Sequence, residues 1–405
     1  MISKEQAKVL PDDWSLRKLG DVTDVGWGDL QVTKSSYVAN GHLAYSATGP
    51  DGFLDYFDFD QNGIVLSAIG AGCGRTWFAR GKWSAIKNTM TIVEKSAEVD
   101  LGFLFHQLSD PNAWPKRGSG QPFISQKDAR DLVVKVPSLA EQAKIVEILE
   151  EQLSRLDAAL ASVRIVRTKA ARFRRSLLHA AFNGALTGSD GLAGELPEGW
   201  TRIELGDVLH DAQPGFASGA HNSQGKGVVH MRPMNVSRAG NLDFSETKYV
   251  EDDSPRRLRS GDILFNNTNS AALIGKTAFV DTDQELAFSN HMTRLRPDTS
   301  RVLAKFLSSQ LHAFWLDGFF EKICSNHVNQ ASVSTKRLKS VEVNFPPLQE
   351  QEIIVELLEE QLSRLDASLA VVDEIERRSS ALRRSLLHAA FTGELTKEWR
   401  EGAHV

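Results

Sequence analysis

The chain contains little cysteine and no long uncharged hydrophobic run. Its two cysteines, Cys73 and Cys324, lie far apart among 405 residues, without the CxxC or Cys/His spacing of a metal site. This pattern supports neither a disulfide framework nor a structural zinc site. Residues 1–10 carry charges instead of the apolar core of a signal peptide. No later hydrophobic run is long and uncharged enough to span a bilayer. These absences predict a cytoplasmic protein.

Motifs that carry catalysis are also missing. Gly275-Lys276-Thr277 matches the end of a phosphate-binding loop, but Ser270 stands where that loop needs its first glycine, so a strand entry is favoured. The glycine-rich residues 70–74 precede a strand-like run, which favours a hairpin turn over a cofactor loop. The chain has no Asn/Asp-Pro-Pro-aromatic methyltransferase motif, and its eleven histidines show no metal-binding spacing. We predict no catalytic site and no metal site in this chain.

Positive charge is in short supply. The chain has 47 Lys and Arg against 52 Asp and Glu, a formal net charge of -5 at pH 7. DNA affinity depends largely on Lys and Arg that replace condensed counterions, so this balance argues against strong binding to DNA by the chain alone. Clustered basic loops, or a partner that shares the DNA, would have to supply the attraction.

A long internal repeat organises the chain. Residues 137–187 align without gaps with residues 346–396, with roughly three identical residues in five. A shorter repeat precedes each copy, since LPDDW at 10–14 returns as LPEGW at 196–200. The chain is therefore a duplication with the order globular region, helix, globular region, helix.

Each repeated segment predicts a long helix. Apolar residues recur at steps of three and four over residues 146–163 and 355–372, which is the pattern of a coiled-coil seam. Gly184 and Gly393 stand where each helix is expected to end. A helix of about 44 residues is roughly 65 Å long, so we predict a spacer. A coiled coil between two chains is the alternative, but two matched copies in one chain favour pairing with each other.

The charges of the repeated segments indicate the direction of pairing. The first half of each segment is acidic and the second half is basic. Antiparallel pairing places acidic beside basic residues, although simple solvation of the helix faces is an alternative explanation. The predicted fold class is α+β, with two mixed α/β domains separated by two long helices that form an antiparallel intramolecular coiled coil.

The repeat also carries a family resemblance. Its openings are PSLAEQ at 137–142 and PPLQEQ at 346–351, and its closing sequence RRSLLHAAF occurs at 174–182 and 383–391. Together with the LPxxW sequences, these motifs resemble the specificity subunits of type I restriction-modification enzymes. Several loops of both globular regions resemble that family as well, so the resemblance covers nearly the whole chain.

The resemblance implies a domain organisation and a function. Residues 1–136 and 188–345 are predicted target-recognition domains, residues 137–187 and 346–396 are predicted spacer helices, and residues 397–405 form a C-terminal tail. The implied function is non-catalytic: the chain reads an asymmetric bipartite DNA site, with one half-site for each domain, and docks methyltransferase subunits.

Partners and cofactors are implied in the same way. Two methyltransferase subunits and two restriction/translocase subunits would share double-stranded DNA with this chain, and no membrane is involved. S-adenosylmethionine, ATP and magnesium would be bound by those partners. One alternative is a coiled-coil scaffold with two globular modules that bind other proteins. Another is a stand-alone restriction enzyme, which the missing methylase and nuclease motifs disfavour.

Candidate DNA contacts are polar and basic residues of the predicted loops. Arg and Lys suit guanine, Asn and Gln suit adenine, and small polar groups suit phosphate. The candidates of the first region are Arg75, Lys87, Asn88, Lys116, Arg117, Ser119 and Gln121. The candidates of the second region are Arg232, Asn235, Asn266, Asn267, Asn269, Lys276, His327 and Asn329.

Overall fold

The computed structural model describes residues 10–188, 196–327 and 330–402, and the chain divides into two compact units. Unit 1 contains the chain up to Val163 together with the chain from Glu374 onward. Unit 2 consists of Arg164–Asp373. Each unit therefore combines one globular region with part of each repeated segment. No helix among the described residues has the length and apolar character needed to cross a membrane.

Unit 1 is built from short strands and three short helices. Its strands are β1 (Ser15–Lys18), β2 (Thr23–Trp27), β3 (His42–Ser46), β4 (Gly49–Leu54), β5 (Phe59–Asp60), β6 (Gly63–Ser67), β7 (Thr76–Ala79), β8 (Lys82–Ala85), β9 (Thr89–Glu94) and β10 (Val133–Val136). Its short helices are α1 (Leu19–Val22), α2 (Leu101–Gln107) and α3 (Gln126–Arg130), and Lys34–Ser36 forms a 3-10 turn.

The strands of unit 1 form two four-stranded sheets that pack face to face. Their orders are β2-β9-β6-β7 and β4-β3-β8-β5, and β1 pairs separately with β10. Strand β6 is buried along its whole length. Because side chains alternate along a strand, Ile64 and Leu66 pack on the helix-covered core while Val65 faces Tyr45 and Trp83 of the second sheet.

Unit 2 has a similar set of elements. Its strands are β11 (Thr201–Glu204), β12 (Leu209–Pro214), β13 (Val228–Met231), β14 (Tyr249–Val250), β15 (Ile263–Asn266), β16 (Thr268–Asn269), β17 (Thr277–Phe279), β18 (Leu286–Phe288), β19 (Met292–Pro297), β20 (Ser325–His327), β21 (Gln330–Ser332) and β22 (Glu342–Phe345). Its short helices are α5 (Ala304–Leu316), α6 (Phe319–Ile323) and α7 (Thr335–Lys339), and 3-10 turns lie at Leu205–Val208 and Pro233–Asn235.

The topology of unit 2 repeats that of unit 1. The sheet β12-β19-β15-β17 corresponds to β2-β9-β6-β7, and β14-β13-β18 corresponds to β4-β3-β8. In both units the second sheet contains one parallel pair, β3 with β8 and β13 with β18. The small sheet β16-β21-β20 is an addition of unit 2. Two regions with little sequence similarity therefore share one frame, and the predicted mixed α/β domains are confirmed.

The two repeated segments form the long helices α4 (Leu139–Phe182) and α8 (Leu348–Ala390). Each helix ends two or three residues before the glycine that was predicted to stop it. Gly184 and Gly393 have φ of 88° and 79°, a left-handed conformation that glycine adopts easily after a helix. A further short helix, α9 (Lys397–Gly402), follows α8.

Ion pairs within each unit show that the helix segments run antiparallel. In unit 2, Arg167 of α4 pairs with Asp373 of α8 at 2.7 Å, and Arg174 pairs with Asp366. In unit 1, Arg383 of α8 pairs with Asp157 of α4. The pairing of basic second halves with acidic first halves confirms the predicted antiparallel intramolecular coiled coil.

A buried carboxylate joins three separate segments of unit 1. Glu141, in the first turn of α4, has no exposed surface and accepts hydrogen bonds from Trp14 Nε1 at 3.0 Å and Thr396 Oγ1 at 2.6 Å. Its carboxylate also pairs with Arg400 of α9. These four residues, the Glu141 cluster, hold the start of unit 1, the start of α4 and the residues after α8 together.

The same arrangement occurs in unit 2 around Glu350. Its carboxylate accepts hydrogen bonds from Trp200 Nε1 at 3.2 Å and from Thr187 Oγ1 at 2.6 Å, and these three residues are the Glu350 cluster. In each unit the repeated LPxxW sequence, the Glu-Gln pair of the helix opening and the Gly-x-Leu-Thr sequence therefore meet at one carboxylate. The repeats that identify the duplication thus have a direct structural role.

The glutamine after each of these glutamates connects the long helix to its globular region. Gln142 Oε1 accepts a hydrogen bond from the backbone N–H of Asp100 at 2.8 Å, just before α2. Gln351 Oε1 accepts one from the N–H of Leu303 at 2.9 Å, just before α5. Each glutamine thereby fixes the helix that packs beside the sheets.

We expect Glu141→Ala to lower the free energy of unfolding by about 3 kcal/mol, because it leaves the largely buried Arg400 guanidinium without its carboxylate and the donors of Trp14 and Thr396 without an acceptor. Urea denaturation followed by circular dichroism measures the change. The control is Glu147→Ala, which removes an exposed helix-surface ion pair with Lys144 and should cost less than about 0.5 kcal/mol. Equal losses for the two variants would show that the Glu141 cluster does not stabilise the unit.

Candidate nucleic-acid interface

Several loops of unit 1 meet at one edge of its sheets. Strands β3, β6 and β8 end at this edge, and strands β4, β7 and β9 begin there. The reason is that β3 runs parallel to β8, whereas β4 runs antiparallel to β3 and both β7 and β9 run antiparallel to β6. We call this edge rim 1. It consists of residues 32–37, 46–51, 68–75, 87–88 and 116–123.

Backbone hydrogen bonds fasten the loops of rim 1 to one another. Ala68, the residue after β6, donates its N–H to Asn88 O at 2.9 Å, and its own carbonyl accepts the N–H of Ile124 at 2.9 Å. Gly70 donates to Pro122 O at 2.9 Å. The three loops that carry all the first-region candidates therefore lie side by side.

The candidate side chains of rim 1 fall into two groups. Arg75, Lys87 and Lys116 are exposed and form no ion pair with any described residue, so their charges are available to a ligand. Arg117 is exposed but pairs with Asp128 at 2.6 Å.

The remaining first-region candidates belong to tight turns of rim 1. Asn88 is half-buried with φ of 72°, a left-handed conformation that asparagine tolerates better than most residues. Ser119 and Gln121 are exposed in the turn that the bridge between Arg117 and Phe123 closes. These three side chains stand at the surface of rim 1 or line its turns.

Unit 2 has an equivalent edge, rim 2, formed by residues 232–236, 266–276 and 289–291 together with β20 and β21. Asn267, the residue after β15, donates its N–H to His291 O at 3.0 Å and accepts the N–H of Val333 at 2.9 Å. These are the contacts that Ala68 makes in unit 1. The same backbone frame therefore presents different side chains at the two rims.

Three candidates of the second region lie inside rim 2 instead of on its surface. Asn235, Asn266 and Lys276 are 2%, 0% and 6% exposed. Each donates a side-chain hydrogen bond to a loop carbonyl, at 2.9, 3.1 and 3.0 Å respectively. Burial also lowers the pKa of Lys276. These side chains stabilise the loops, and a direct contact with a base would require them to leave these positions.

The other candidates of the second region are closer to solvent. Arg232, Asn267 and Asn269 are half-buried. Asn269 Oδ1 accepts the N–H of Ser270 at 2.8 Å, which holds the loop after β16. Of His327 only the backbone is described, in β20, and Asn329 lies outside the described residues.

Sequence reasoning missed residues at both rims. His291 accepts the backbone hydrogen bond in rim 2 that Asn88 accepts in rim 1, and Asn290, the residue before it, is exposed. A short shared pattern marks them, since Asn-x-Met-Thr begins at both asparagines. Lys34 of rim 1 has no such signal in the sequence.

The glycine motifs serve the fold of the two units. Residues 70–74 connect β6 with β7, which are antiparallel, so the predicted hairpin turn is confirmed. Gly275-Lys276-Thr277 leads into β17, as predicted for a strand entry. Gly275 has φ of 93°, and a Cβ there would lie 2.2 Å from the Phe320 ring, so only glycine fits. Within the described ranges no three His, Cys, Asp or Glu residues form a metal-binding group.

A pair of histidines lies against rim 2. His221 Nε2 and His230 Nδ1 are 2.8 Å apart, and His230 is buried. Burial, helped by the neighbouring His221, lowers the pKa of His230 to about 4. His312 of α5, also in unit 2, has its pKa lowered to about 4 by burial. Both side chains are therefore neutral at physiological pH and add no positive charge to the unit.

These two histidines predict a pH dependence of stability. Their pKa lies near 4 in the folded protein and near 6.5 in the unfolded chain, so the unfolded chain binds more protons between those values. The free energy of unfolding should fall as the pH is lowered from about 6.5 to 4. Replacing both, in His230→Asn/His312→Asn, should reduce this slope in urea denaturation. His210→Asn, at an exposed histidine, is the control; an unchanged slope in the double variant would contradict the assignment.

Comparison with known proteins agrees with the duplicated frame. The family described as type I restriction modification DNA specificity domain matches residues 11–161 and 197–377. The StySPI specificity subunit of Salmonella potsdam is 29% identical over 276 residues, which cover 67% of this chain and 59% of that protein. The EcoKI specificity subunit of Escherichia coli K12 is also 29% identical, and the match again covers 59% of that protein. The chain thus spans only about three fifths of the length of these two relatives.

Two longer matches extend over nearly the whole chain. The EcoDI specificity subunit of Escherichia coli is 22% identical over 418 residues, covering 96% of this chain and 90% of that protein. A solved chain from a type I R-M system has a TM-score of 0.65 at 19% identity, covering 95% of this chain and 99% of that chain. At this identity the structural similarity shows a shared fold.

Proposed function

Because the chain belongs to the type I restriction-modification DNA specificity family, we propose that it selects the DNA sequence on which such a system acts. The observation that carries this proposal is the pair of rims. One backbone frame is used twice, and each copy presents a different set of polar and basic side chains at the same edge. Such a scaffold suits one recognition task performed on two different targets.

The chemistry of the rims supports an asymmetric bipartite site. Rim 1 offers the cations Arg75, Lys87 and Lys116, which pair with no carboxylate of the described residues and suit phosphates and guanine. Rim 2 offers the amides of Asn269 and Asn290, which suit adenine. Since the side chains differ, the two half-sites of the DNA differ. The long helices, each of which contributes to both units, set the number of base pairs between the half-sites.

Exposed apolar side chains at equivalent positions of the two long helices support the docking of two copies of one partner subunit. Val166 and Phe173 of α4 are 43% and 48% exposed, and Ile375 and Leu382, at the equivalent positions of α8, are 42% and 49% exposed. Apolar side chains repeated in this way on a helix surface are typical of protein contacts. We assign each pair to one methyltransferase subunit, with two restriction/translocase subunits completing the assembly.

Those partners would supply the chemistry and much of the DNA affinity. In this proposal S-adenosylmethionine is bound by the methyltransferase subunits, and ATP and magnesium by the restriction/translocase subunits. A chain of net charge -5 then needs to contribute only the local cations of its rims, because the partners contact the remaining phosphates.

We expect Lys87→Ala and Lys116→Ala each to weaken DNA binding by the assembled complex for every sequence. Each should also reduce the slope of log Kd against log salt concentration by about one, the effect of losing one phosphate contact. Fluorescence anisotropy at several salt concentrations measures both quantities. Lys95→Ala, an exposed lysine at the far end of β9, is the control. Wild-type slopes in both variants would exclude these lysines as phosphate contacts.

We expect exchange of residues 10–136 for the corresponding region of another family member to change one half of the methylated sequence and to leave the other half unchanged. The reason is that rim 1 lies entirely within that region. Single-molecule sequencing of methylated adenines in cells that express the chimera with its methyltransferase reads the result. A change in both halves would refute independent reading by the two domains.

A further inference from the structure

One aspartate of rim 1, Asp51, accepts hydrogen bonds from four side chains. Asp51 accepts hydrogen bonds from Lys34 Nζ at 2.5 Å, Tyr37 OH at 2.8 Å and Ser46 Oγ at 2.7 Å, and also from Thr48 Oγ1. We call these five residues the Asp51 cluster. They come from the 3-10 turn after Thr33 and from the hairpin of β3 and β4.

The Asp51 cluster adjoins Lys87 and the loop of Arg75, two of the exposed cations of rim 1. Lys87 donates its backbone N–H to Val32 O at 3.2 Å, which places the turn of Lys34 beside Lys87. A Cβ on Gly72 would lie 3.0 Å from Ala47 O, so the loop before Thr48 touches the loop that carries Arg75. The cluster is therefore part of the surface that we propose to face DNA.

Lys34 differs from those cations because its charge is compensated. Its side chain is 57% exposed, while that of Asp51 is 27% exposed. Burial raises the pKa of the Asp51 carboxyl, but the hydrogen bonds from Lys34, Thr48, Ser46 and Tyr37 together hold the pKa well below its usual range. Asp51 is therefore ionised, and it cancels the charge of Lys34 while fixing the direction of the ammonium group.

We propose that Lys34 is a sequence-reading residue of unit 1 and that Asp51 is the positioning residue that aims it. The inference rests on the proposed DNA-reading function. A lysine ammonium carries three N–H donors. One is directed to Asp51 and one to Thr48 Oγ1 at 2.8 Å, which leaves one for a ligand. In the major groove the fitting acceptors are O6 and N7 of guanine.

Charge compensation separates the role of Lys34 from that of its neighbours. An unpaired lysine attracts any phosphate, so it raises affinity for all DNA and makes binding more sensitive to salt. A lysine whose charge is cancelled adds little to that attraction and acts as a directed donor. Lys34 therefore contributes to discrimination between bases, whereas Lys87 and Lys116 contribute to general affinity.

The test uses the chain assembled with the methyltransferase subunit of its own system. Lys34→Met removes the ammonium and keeps the apolar stem, and Asp51→Asn removes the charge with little change of shape. Lys18→Met is the matched control, because Lys18 is also 57% exposed and pairs with Asp131, but outside rim 1. Genomic methylation first supplies the recognised sequence. Kd is then measured for that duplex and for single-base variants at several salt concentrations.

We expect Lys34→Met to lose roughly tenfold discrimination at one guanine of one half-site, with an unchanged salt slope. Asp51→Asn should relax the same position and increase the salt slope by about one, because Lys34 becomes a free cation. Lys34→Arg should retain discrimination in part. Discrimination at the other half-site should equal that of the wild type in every variant, which also shows that the variants fold.

The opposite results overturn the inference. Full discrimination in Lys34→Met, or a uniform loss of affinity with a salt slope smaller by about one, would show that Lys34 does not read a base. An Asp51→Asn variant that behaves like Lys18→Met would show that Asp51 does not position Lys34. If the wild-type complex itself fails to distinguish any sequence, the proposed function fails, and that outcome is separate from the behaviour of the variants.

Discussion

The structure depends on one carboxylate at the start of each long helix, and that of Glu141 is completely buried. A carboxylate without exposure is costly unless its oxygens are fully hydrogen-bonded. Glu141 meets this condition only when Trp14, Thr396 and Arg400 come together, and these residues lie at the beginning and end of the chain. The half-buried Glu350 accepts the equivalent hydrogen bonds from Trp200 and Thr187, so the repeated motifs meet as a set in both units. These contacts attach each globular region to the long helices.

The two rims differ although these attachments to the long helices are alike. The loop after β6 and the loop after β15 are held by equivalent backbone hydrogen bonds, made by Ala68 and by Asn267. Backbone bonds are indifferent to side-chain identity, so the side chains of the loops are free to change while the frame stays intact. Rim 1 accordingly displays cations, whereas rim 2 displays amides and keeps its Lys276 buried.

The charges of individual rim residues explain how a chain with a negative net charge could contact DNA. Total charge does not describe what a ligand meets at a rim, because Lys87, which pairs with no described carboxylate, lies beside the turn of the compensated Lys34. One supplies attraction and the other a directed hydrogen bond. Recognition of this kind needs few free cations, provided that partners contact the rest of the DNA.

The sequence by itself determined the duplication and the long helices and favoured their antiparallel pairing, because heptad spacing and charge order are local patterns that act along one helix. It also predicted the hairpin turn at residues 70–74 and the strand entry at Gly275-Lys276-Thr277. Only the tertiary structure decided which polar residues are exposed: Asn235, Asn266 and Lys276 have side chains suited to DNA but are buried, whereas Asn290 is exposed at rim 2. Burial and proximity depend on contacts between residues distant in the chain, which no local pattern contains.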